Sequence, residues 1–242
     1  FSPKLNFIYS QNNNLQFFLK SGIGFHSNDT RVVVQNNGKQ VLPTAIGADI
    51  GTIWKPFPKL IVNSALWYLF LEQEFVYVGD AGIIEPSGKS KRMGAELGLR
   101  YQLNDWLFFD ADANYTYARS IDEPKGQDYI PLAPDFTTTG GLSFQKIQGF
   151  SGGLRYRYLK SRPANEDNSI VAKGYFVSDF NVNYQYKSIN FGISIENLFD
   201  TAWNETQFAT ESRLQNESES VEEIHFTPGI PFFMKGKITY TF

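Results

Sequence analysis

The sequence contains no cysteine, which excludes disulfide scaffolds, thiolate metal sites and cysteine nucleophiles. Histidine is almost missing too. His26 and His225 leave little for a histidine-based metal centre, so neither a metal nor another cofactor is expected. Charged residues are only 19% of the chain and sum to a net of -3, so there is no basic footprint for nucleic acid. Long apolar runs are also lacking. The mean hydropathy is -0.31, and the nearest approach to a membrane helix, residues 60–71, is 12 residues long and carries Asn63 and Ser64. A spanning helix needs roughly 18 or more apolar residues. Helical membrane proteins are therefore out, but a membrane β-barrel is not, because its polar inward face hides it from hydropathy averages. The opening Phe-Ser-Pro-Lys-Leu-Asn-Phe has no charged n-region, apolar h-region or cleavage site and reads as the interior of a longer chain.

Aromatics and glycine are abundant. There are 22 Phe, 13 Tyr, 4 Trp and 20 Gly in 242 residues, a composition opposite to that of a disordered chain. The dominant pattern has period two. Met93, Ala95, Leu97, Leu99, Tyr101 and Leu103 fall on one face; Arg92, Gly94, Glu96, Gly98, Arg100 and Gln102 fall on the other. After Asn104-Asp105 the alternation resumes through Leu107, Phe109, Ala111, Ala113, Tyr115 and Tyr117, which predicts a hairpin. Read this way, the chain holds eleven strands, near 3–10, 14–25, 44–54, 60–71, 90–103, 106–118, 136–145, 150–159, 175–186, 189–199 and 231–242.

The connections carry more information than the strands. Those at 11–13, 55–59, 104–105, 146–149 and 187–188 are two to five residues long; those at 26–43, 72–89, 119–135, 160–174 and 200–230 are 15 to 31. Short and long alternate strictly, which places all tight turns at one end and all long loops at the other. Structureless loops of this length are uncommon in compact soluble domains but normal on the outer rim of a bacterial outer-membrane barrel.

A soluble β-sandwich also buries one face of each strand. Three features favour the barrel. All but the first of these strands have the ten to fourteen residues that suit a tilted crossing of hydrocarbon, longer than globular strands. Aromatics collect near the strand ends: Tyr9, Trp54, Tyr101, Trp106, Phe144, Phe150, Tyr184 and Tyr186 by the short turns, and Phe25, Tyr117, Tyr158 and Phe232 towards the long loops. Such belts suit the two bilayer interfaces. The polar faces hold Gly47, Asp49, Gly51, Thr137, Thr139, Gly141 and Ser143, which fit an aqueous lumen. In the last strand Met234, Ile238, Tyr240 and Phe242 are in phase, and this resembles an outer-membrane β-signal, with Ile238, Tyr240 and Phe242 directing barrel assembly.

Four segments resemble TonB-dependent outer-membrane receptors. Residues 193–200 (Ile-Ser-Ile-Glu-Asn-Leu-Phe-Asp) resemble the segment before their last long loop, and 130–135 (Ile-Pro-Leu-Ala-Pro-Asp) a second loop motif. Residues 1–5 (Phe-Ser-Pro-Lys-Leu) and 22–26 (Gly-Ile-Gly-Phe-His) resemble two mid-barrel strands. The matches occur in the family's order across almost the whole chain. Segments 164–171 and 206–213 further resemble receptors of Bacteroidetes-like bacteria. Such receptors have a barrel of about 22 strands around a plug. The resemblance therefore implies that residues 1–242 are the C-terminal half of the barrel, with plug and TonB box outside this chain. It also implies the bacterial outer membrane as location and lipid, the TonB complex, the barrel-assembly machinery and an unknown small ligand as partners.

The lumen-facing set has carboxylates Asp49, Glu96, Asp110, Asp112, Asp179 and Glu196 beside Lys4, Lys20, Arg92, Arg100, Arg155, Arg157, Lys235 and Lys237. Carboxylate pairs invite a glycosidase reading, but the spacing puts these groups on barrel walls, and no enzyme is expected. In the family, plug arginines meet glutamates on the wall. Glu96 is the position that fits, with Arg92 and Arg100 beside it; a wall ladder of these three is the plainer alternative. In the loops, His26, Asp29, Arg31, Arg119, Tyr129, Arg162, Trp203 and His225 are candidates for ligand contact. Residues 200–226 hold Asp200, Glu205, Glu211, Glu217, Glu219, Glu222 and Glu223 against Arg213 alone, seven minus one or -6, leaving +3 for the rest of a chain at -3. A solvated loop or a funnel for cations both fit. The expected function is energised uptake of a scarce ligand (an iron chelate such as a siderophore, cobalamin, a metal or a glycan). A passive porin and a soluble aromatic-rich β-sandwich binding module are the alternatives.

Overall fold

The structure is a computed structural model that describes residues 1–25, 42–73, 75–78, 83–86 and 88–242. Eleven strands form one sheet: β1 (Lys4–Asn12), β2 (Leu15–Phe25), β3 (Thr44–Phe57), β4 (Leu60–Leu71), β7 (Ser90–Gln102), β8 (Leu107–Ser120), β9 (Phe136–Ile147), β10 (Phe150–Leu159), β13 (Tyr175–Tyr186), β14 (Ile189–Glu196) and β17 (Phe233–Tyr240). The remaining strands pair in three hairpins: β5 (Phe75–Val78) with β6 (Ile83–Pro86), β11 (Arg162–Pro163) with β12 (Val171–Ala172), and β15 (Asn204–Ser212) with β16 (Val221–Pro228). The large sheet runs in sequence order and every neighbouring pair is antiparallel.

All eleven expected strands are present, with shifts at their ends. β3 runs three residues past the expected end at 54 to Phe57. Pro56, which cannot donate to a ladder, sits in the register shift between Trp54 and Phe57. β14 stops at Glu196 rather than 199, because Asn197 and Asp200 take left-handed φ values of 50° and 51° that no strand contains. The long connections at 72–89, 160–174 and 200–230 are not structureless as expected, since each carries one of the three hairpins. Four of their strands are only two to four residues long, and β15 and β16 carry polar residues on both faces, so period two is hard to see there.

The tight turns are set by local chemistry. Gln148 and Gly149 both have positive φ, 49° and 89°, the requirement of a type I′ hairpin turn. At residues 104–107 the Asn104 side chain accepts hydrogen bonds from the backbone N–H of Trp106 (3.0 Å) and Leu107 (2.9 Å), an Asx turn.

The register aligns the two faces across strands. Leu19, Ile50, Leu66, Ala95, Tyr115 and Phe136 pair successively from β2 to β9 and form one apolar row on the outer face. That row is bare: Leu66 is 62% and Ile50 57% exposed. Among the described residues the buried apolar side chains are Ala118, Ile130, Ala164, Ala172 and Val177, all at the long-loop end of the sheet. Among the described residues no second layer covers the sheet, so the β-sandwich is not the fold. An exposed apolar band this extensive belongs against lipid. Hydroxyls on the same face satisfy each other, Thr52 with Ser64 at 2.9 Å and Thr138 with Tyr156 at 3.1 Å, as a medium without water demands.

Bulky rings on the lumen side cover glycines on the neighbouring strand. A Cβ on Gly51 would lie 2.5 Å from the Phe18 ring, and one on Gly94 2.7 Å from Trp67. These are aromatic-over-glycine pairs that help a sheet to curve.

The face assignment yields a direct test. Leu97, in the middle of β7 and 44% exposed on the outer face, should not tolerate Arg, which costs roughly 2–4 kcal/mol at the bilayer midplane. Gly98 faces the lumen, where an added Cβ meets only the Asp112 carboxylate at 3.0 Å and Asn63. Leu97→Arg is expected to lower the amount of folded protein in the membrane fraction much more than Gly98→Ser. Equal yields of the two would invert the assignment.

Candidate functional site

Two surfaces could carry function: the lumen wall and the rim that bears the long loops. On the wall, Arg100, Asp110, Gly141, Arg155 and Asp179 lie in one cross-strand row. Arg100 pairs with Asp112 at 2.8 Å, Arg155 reaches across β9 to Asp110, and Arg157 lies 3.7 Å from Asp179. Gly141 separates Asp110 from Arg155 in that row, and its missing side chain lets the pair span a whole strand. Of the alternative ladder of Arg92, Glu96 and Arg100, Arg100 is thus engaged elsewhere. Arg100 turns to Asp112 on β8 because a same-face neighbour across strands is closer than one four residues along its own strand.

Glu96 has no ion-pair partner among the described residues. It lines a shallow cleft of about 300 Å³ with Asn63, Asp112, Asn114, Thr137 and Thr139. The Glu96 and Asp112 carboxylates at this cleft suit a cationic group. Arg92 faces the lumen on the same strand, opposite Leu69 and Ala118.

On the rim most of the candidate side chains hold the loops together. His26, Asp29 and Arg31 lie outside the described residues. The Arg119 guanidinium sits over the rings of Tyr117 and Tyr129, at 4.5 and 4.1 Å, and lies 3.7 Å from the Asp128 carboxylate. It also donates to the Ala118 carbonyl at 2.6 Å. Arg119 and Tyr129 form a β-bridge, which pins the 121–135 loop to β8. Loops are then joined to each other. Tyr129 N–H donates to the Glu166 carbonyl (3.1 Å), and Leu132 N–H, at a left-handed φ of 62°, to that of Pro163 (2.7 Å).

Trp203 is packed rather than presented. Its Nε1–H donates to the Ile230 carbonyl at 3.1 Å, its ring meets Tyr175 at 4.8 Å, and Arg157 lies 5.5 Å from it. His225 Nε2 is 3.0 Å from Ser212 Oγ across the β15–β16 hairpin and 3.9 Å from the Glu223 carboxylate on its own strand. Arg162 differs from these. Its Nη1 is buried without an acceptor among the described residues, and burial pushes the guanidinium pKa below its ordinary value.

Sequence reasoning passed over the residues that organise this rim. Asn197 is 1% exposed and clamps both ends of the 200–230 loop. Its side-chain amide donates to the carbonyls of Thr201 (2.9 Å) and Ile230 (3.0 Å), and its Oδ1 accepts from Thr201 N–H (2.8 Å). Its own N–H donates to Asp179 (3.0 Å), and Asp200 accepts from Phe232 N–H (2.9 Å). Gln207, 2% exposed, imitates a backbone bridge by donating to the Lys173 carbonyl (2.7 Å) and accepting its N–H (2.9 Å). The one legible signal was the Glu-Asn-Leu-Phe-Asp segment that contains Asn197 and Asp200.

The acidic segment forms the β15–β16 hairpin, with Glu211 directly opposite Glu222. Like charges so placed repel. No group of three His, Asp or Glu among the described residues could hold a metal ion. Elsewhere on the rim the Thr44 N–H, 2.8 Å away, holds the Glu72 carboxyl below its usual range, and the Ser169 hydrogen bonds do the same for Asp167. A depressed carboxylate favours the folded rim above the ordinary carboxylate range, and that preference is lost as pH falls through the lowered value. Finally, Ile238 and Tyr240 lie on the outer face of β17 opposite Phe191 and Ile189, and Phe242 follows the strand with its ring 6.1 Å from that of Tyr240.

Residues 1–198 match the family model described as TonB dependent receptor-like, beta-barrel. Comparison with curated proteins found no match. Among solved structures, the chain is similar to the ferric-catecholate import receptor Fiu from Escherichia coli K12, at 18% identity and a TM-score of 0.72 over 98% of this chain and 34% of that one. It is also similar to the siderophore receptor PiuA from Acinetobacter baumannii, at 15% identity and a TM-score of 0.74 over 98% and 35%. The copper transporter OprC gives 18% identity and a TM-score of 0.73 over 99% and 40%. The chain thus spans between 30% and 40% of the length of these solved structures.

The clamp on the last loop is open to mutation. Asn197→Ala strips partners from buried backbone groups at both loop ends, at about 1–3 kcal/mol for each group left unsatisfied. Hydrogen exchange in residues 200–230 is expected to rise sharply while β8–β10 stay protected. Unchanged protection of the loop would show that the hairpin is held by other contacts.

Proposed function

The chain belongs to the TonB-dependent receptor-like β-barrel family, whose members lie in the outer membrane of Gram-negative bacteria and are transporters rather than enzymes. From that premise we propose that it is the C-terminal half of a 22-stranded receptor that takes up a scarce ligand with energy delivered through TonB. One observation carries this reading most directly. With eleven strands in strict alternation, β1 and β17 run in the same direction, so the sheet cannot close on itself with an antiparallel seam. Closure needs an odd number of further strands, and eleven more give the even total of bacterial barrels.

In this reading the plug and the TonB-coupling segment lie elsewhere in the receptor, and Glu96, flanked by Arg92 and Arg100, is the wall position that meets a plug arginine. The Glu96 carboxylate, without an ion-pair partner among the described residues and set in a polar cleft, supports that role. At the mouth, Arg162 is the strongest remaining ligand contact, since Arg119, Tyr129, Trp203 and His225 are occupied with loop packing. The ligand class, an iron chelate or another small scarce compound, follows the catecholate, siderophore and copper cargoes in the names of the similar structures. A passive porin is the second reading, supported by the polar lumen wall.

Energy dependence separates the two. In cells carrying the intact receptor, uptake of its ligand at nanomolar supply is expected to stop when a protonophore collapses the proton gradient. Uptake that continues undiminished would favour the porin. Assembly gives a second test. Phe242 continues the period-two pattern of Ile238 and Tyr240 in the sequence, as a signal read by the barrel-assembly machinery would. Phe242→Asp in the intact receptor should sharply reduce outer-membrane levels with synthesis unchanged. Equal levels after fractionation would remove these three residues from that role.

A further inference from the structure

Three arginines of the lumen wall pair their charges across strands, whereas Glu96 and the two lysines of the last strand have no ion-pair partner among the described residues. Arg100 meets Asp112 and Arg157 meets Asp179, at 2.8 and 3.7 Å, and Arg155 meets Asp110. Lys235 and Lys237 also face the lumen, in register with Ser194 and Gly192 of β14. Behind those stand Asn181 and Asn183 of β13. Neither lysine has an ion-pair partner among the described residues. The nearest carboxylates are unsuited to the task. Asp179 is taken by Arg157 and the Asn197 N–H, and Glu196 lies opposite Phe233 towards the loop end.

A residue on a strand meets neighbours on two flanks. The β14 positions directly opposite these lysines, Ser194 and Gly192, are neutral, which leaves the free edge of β17. The strand that pairs there must run antiparallel to β17. A second copy of this chain with its loops on the same side of the membrane offers β1, which runs parallel, so it does not qualify. The partner is an ascending strand of the parent barrel.

We infer that this closing strand presents lumen-facing carboxylates to Lys235 and Lys237, so that ion pairs as well as backbone hydrogen bonds hold the barrel seam. The inference rests on the proposal that the chain is part of a larger closed barrel. On the lumen face successive side chains are two residues apart, so a carboxylate pair in the partner would sit at positions i and i+2. Opposite charges placed directly across a ladder are favourable, whereas two lysines beside a neutral strand gain nothing.

Zero-length carbodiimide coupling tests this on the full-length receptor in its outer membrane. It joins a lysine amine to a carboxylate in direct contact, and mass spectrometry of the digested protein locates the amide. The expected product links Lys235 or Lys237 to an Asp or Glu of the first ascending strand. Lys59 with Asp105 and Lys160 with Asp135, each 3.5 Å apart, serve as internal controls. Control links with the two lysines unlinked, or joined to the plug or to Glu196, overturn the seam and leave the barrel reading intact. Loss of the control links overturns both. The variant Lys235→Gln with Lys237→Gln keeps the shape of the strand and removes the charges. Its heat-modifiable folded band is expected to disappear a few degrees below that of the native receptor, and an unchanged transition counts against the seam.

Discussion

Hydrocarbon offers no hydrogen bonds to a peptide group, and the rest of the architecture follows from that constraint. Each backbone N–H and C=O at membrane depth must be satisfied by the protein. Here this is done by an unbroken meander of eleven antiparallel strands. It also explains the paired hydroxyls of Thr52 with Ser64 and Thr138 with Tyr156 on the outer face, where an isolated hydroxyl would be costly.

The lumen side obeys the opposite rule. Water is available there, so charge is tolerated, and the wall becomes a lattice of cross-strand ion pairs from Arg100 to Asp179. Half-exposed pairs of this kind contribute little stability each. Their value lies more in fixing the surface on which other parts of a receptor rest. Asp179 shows the link to the rim, since one carboxylate faces Arg157 on the wall and the Asn197 N–H at the root of the last loop.

The rim is ordered by contacts between loops. Arg119 with Tyr129 fastens the 121–135 loop, the Leu132–Pro163 bond ties it to the next, and Gln207 ties that one to the β15–β16 hairpin. Three long loops thus form one connected lip. Residues of the kind usually sought as ligand contacts, an arginine between tyrosines or a loop tryptophan, are here the fasteners, because stacking and cation–π contacts are strong where water is partly excluded.

The sequence alone determined the strand count, the alternation of tight turns and long loops, the two faces and hence the class, because each depends on local periodicity and turn chemistry. Leu97 and Gly98 belong to opposite environments whatever else the chain does. The roles of individual polar residues were decided only by tertiary structure. Arg100 chooses Asp112 over Glu96, Asn197 becomes a clamp and Arg119 a fastener, since each choice depends on register and on which loops meet. The hairpins within the loops were likewise hidden, for their strands are very short or polar on both faces and show no clear period.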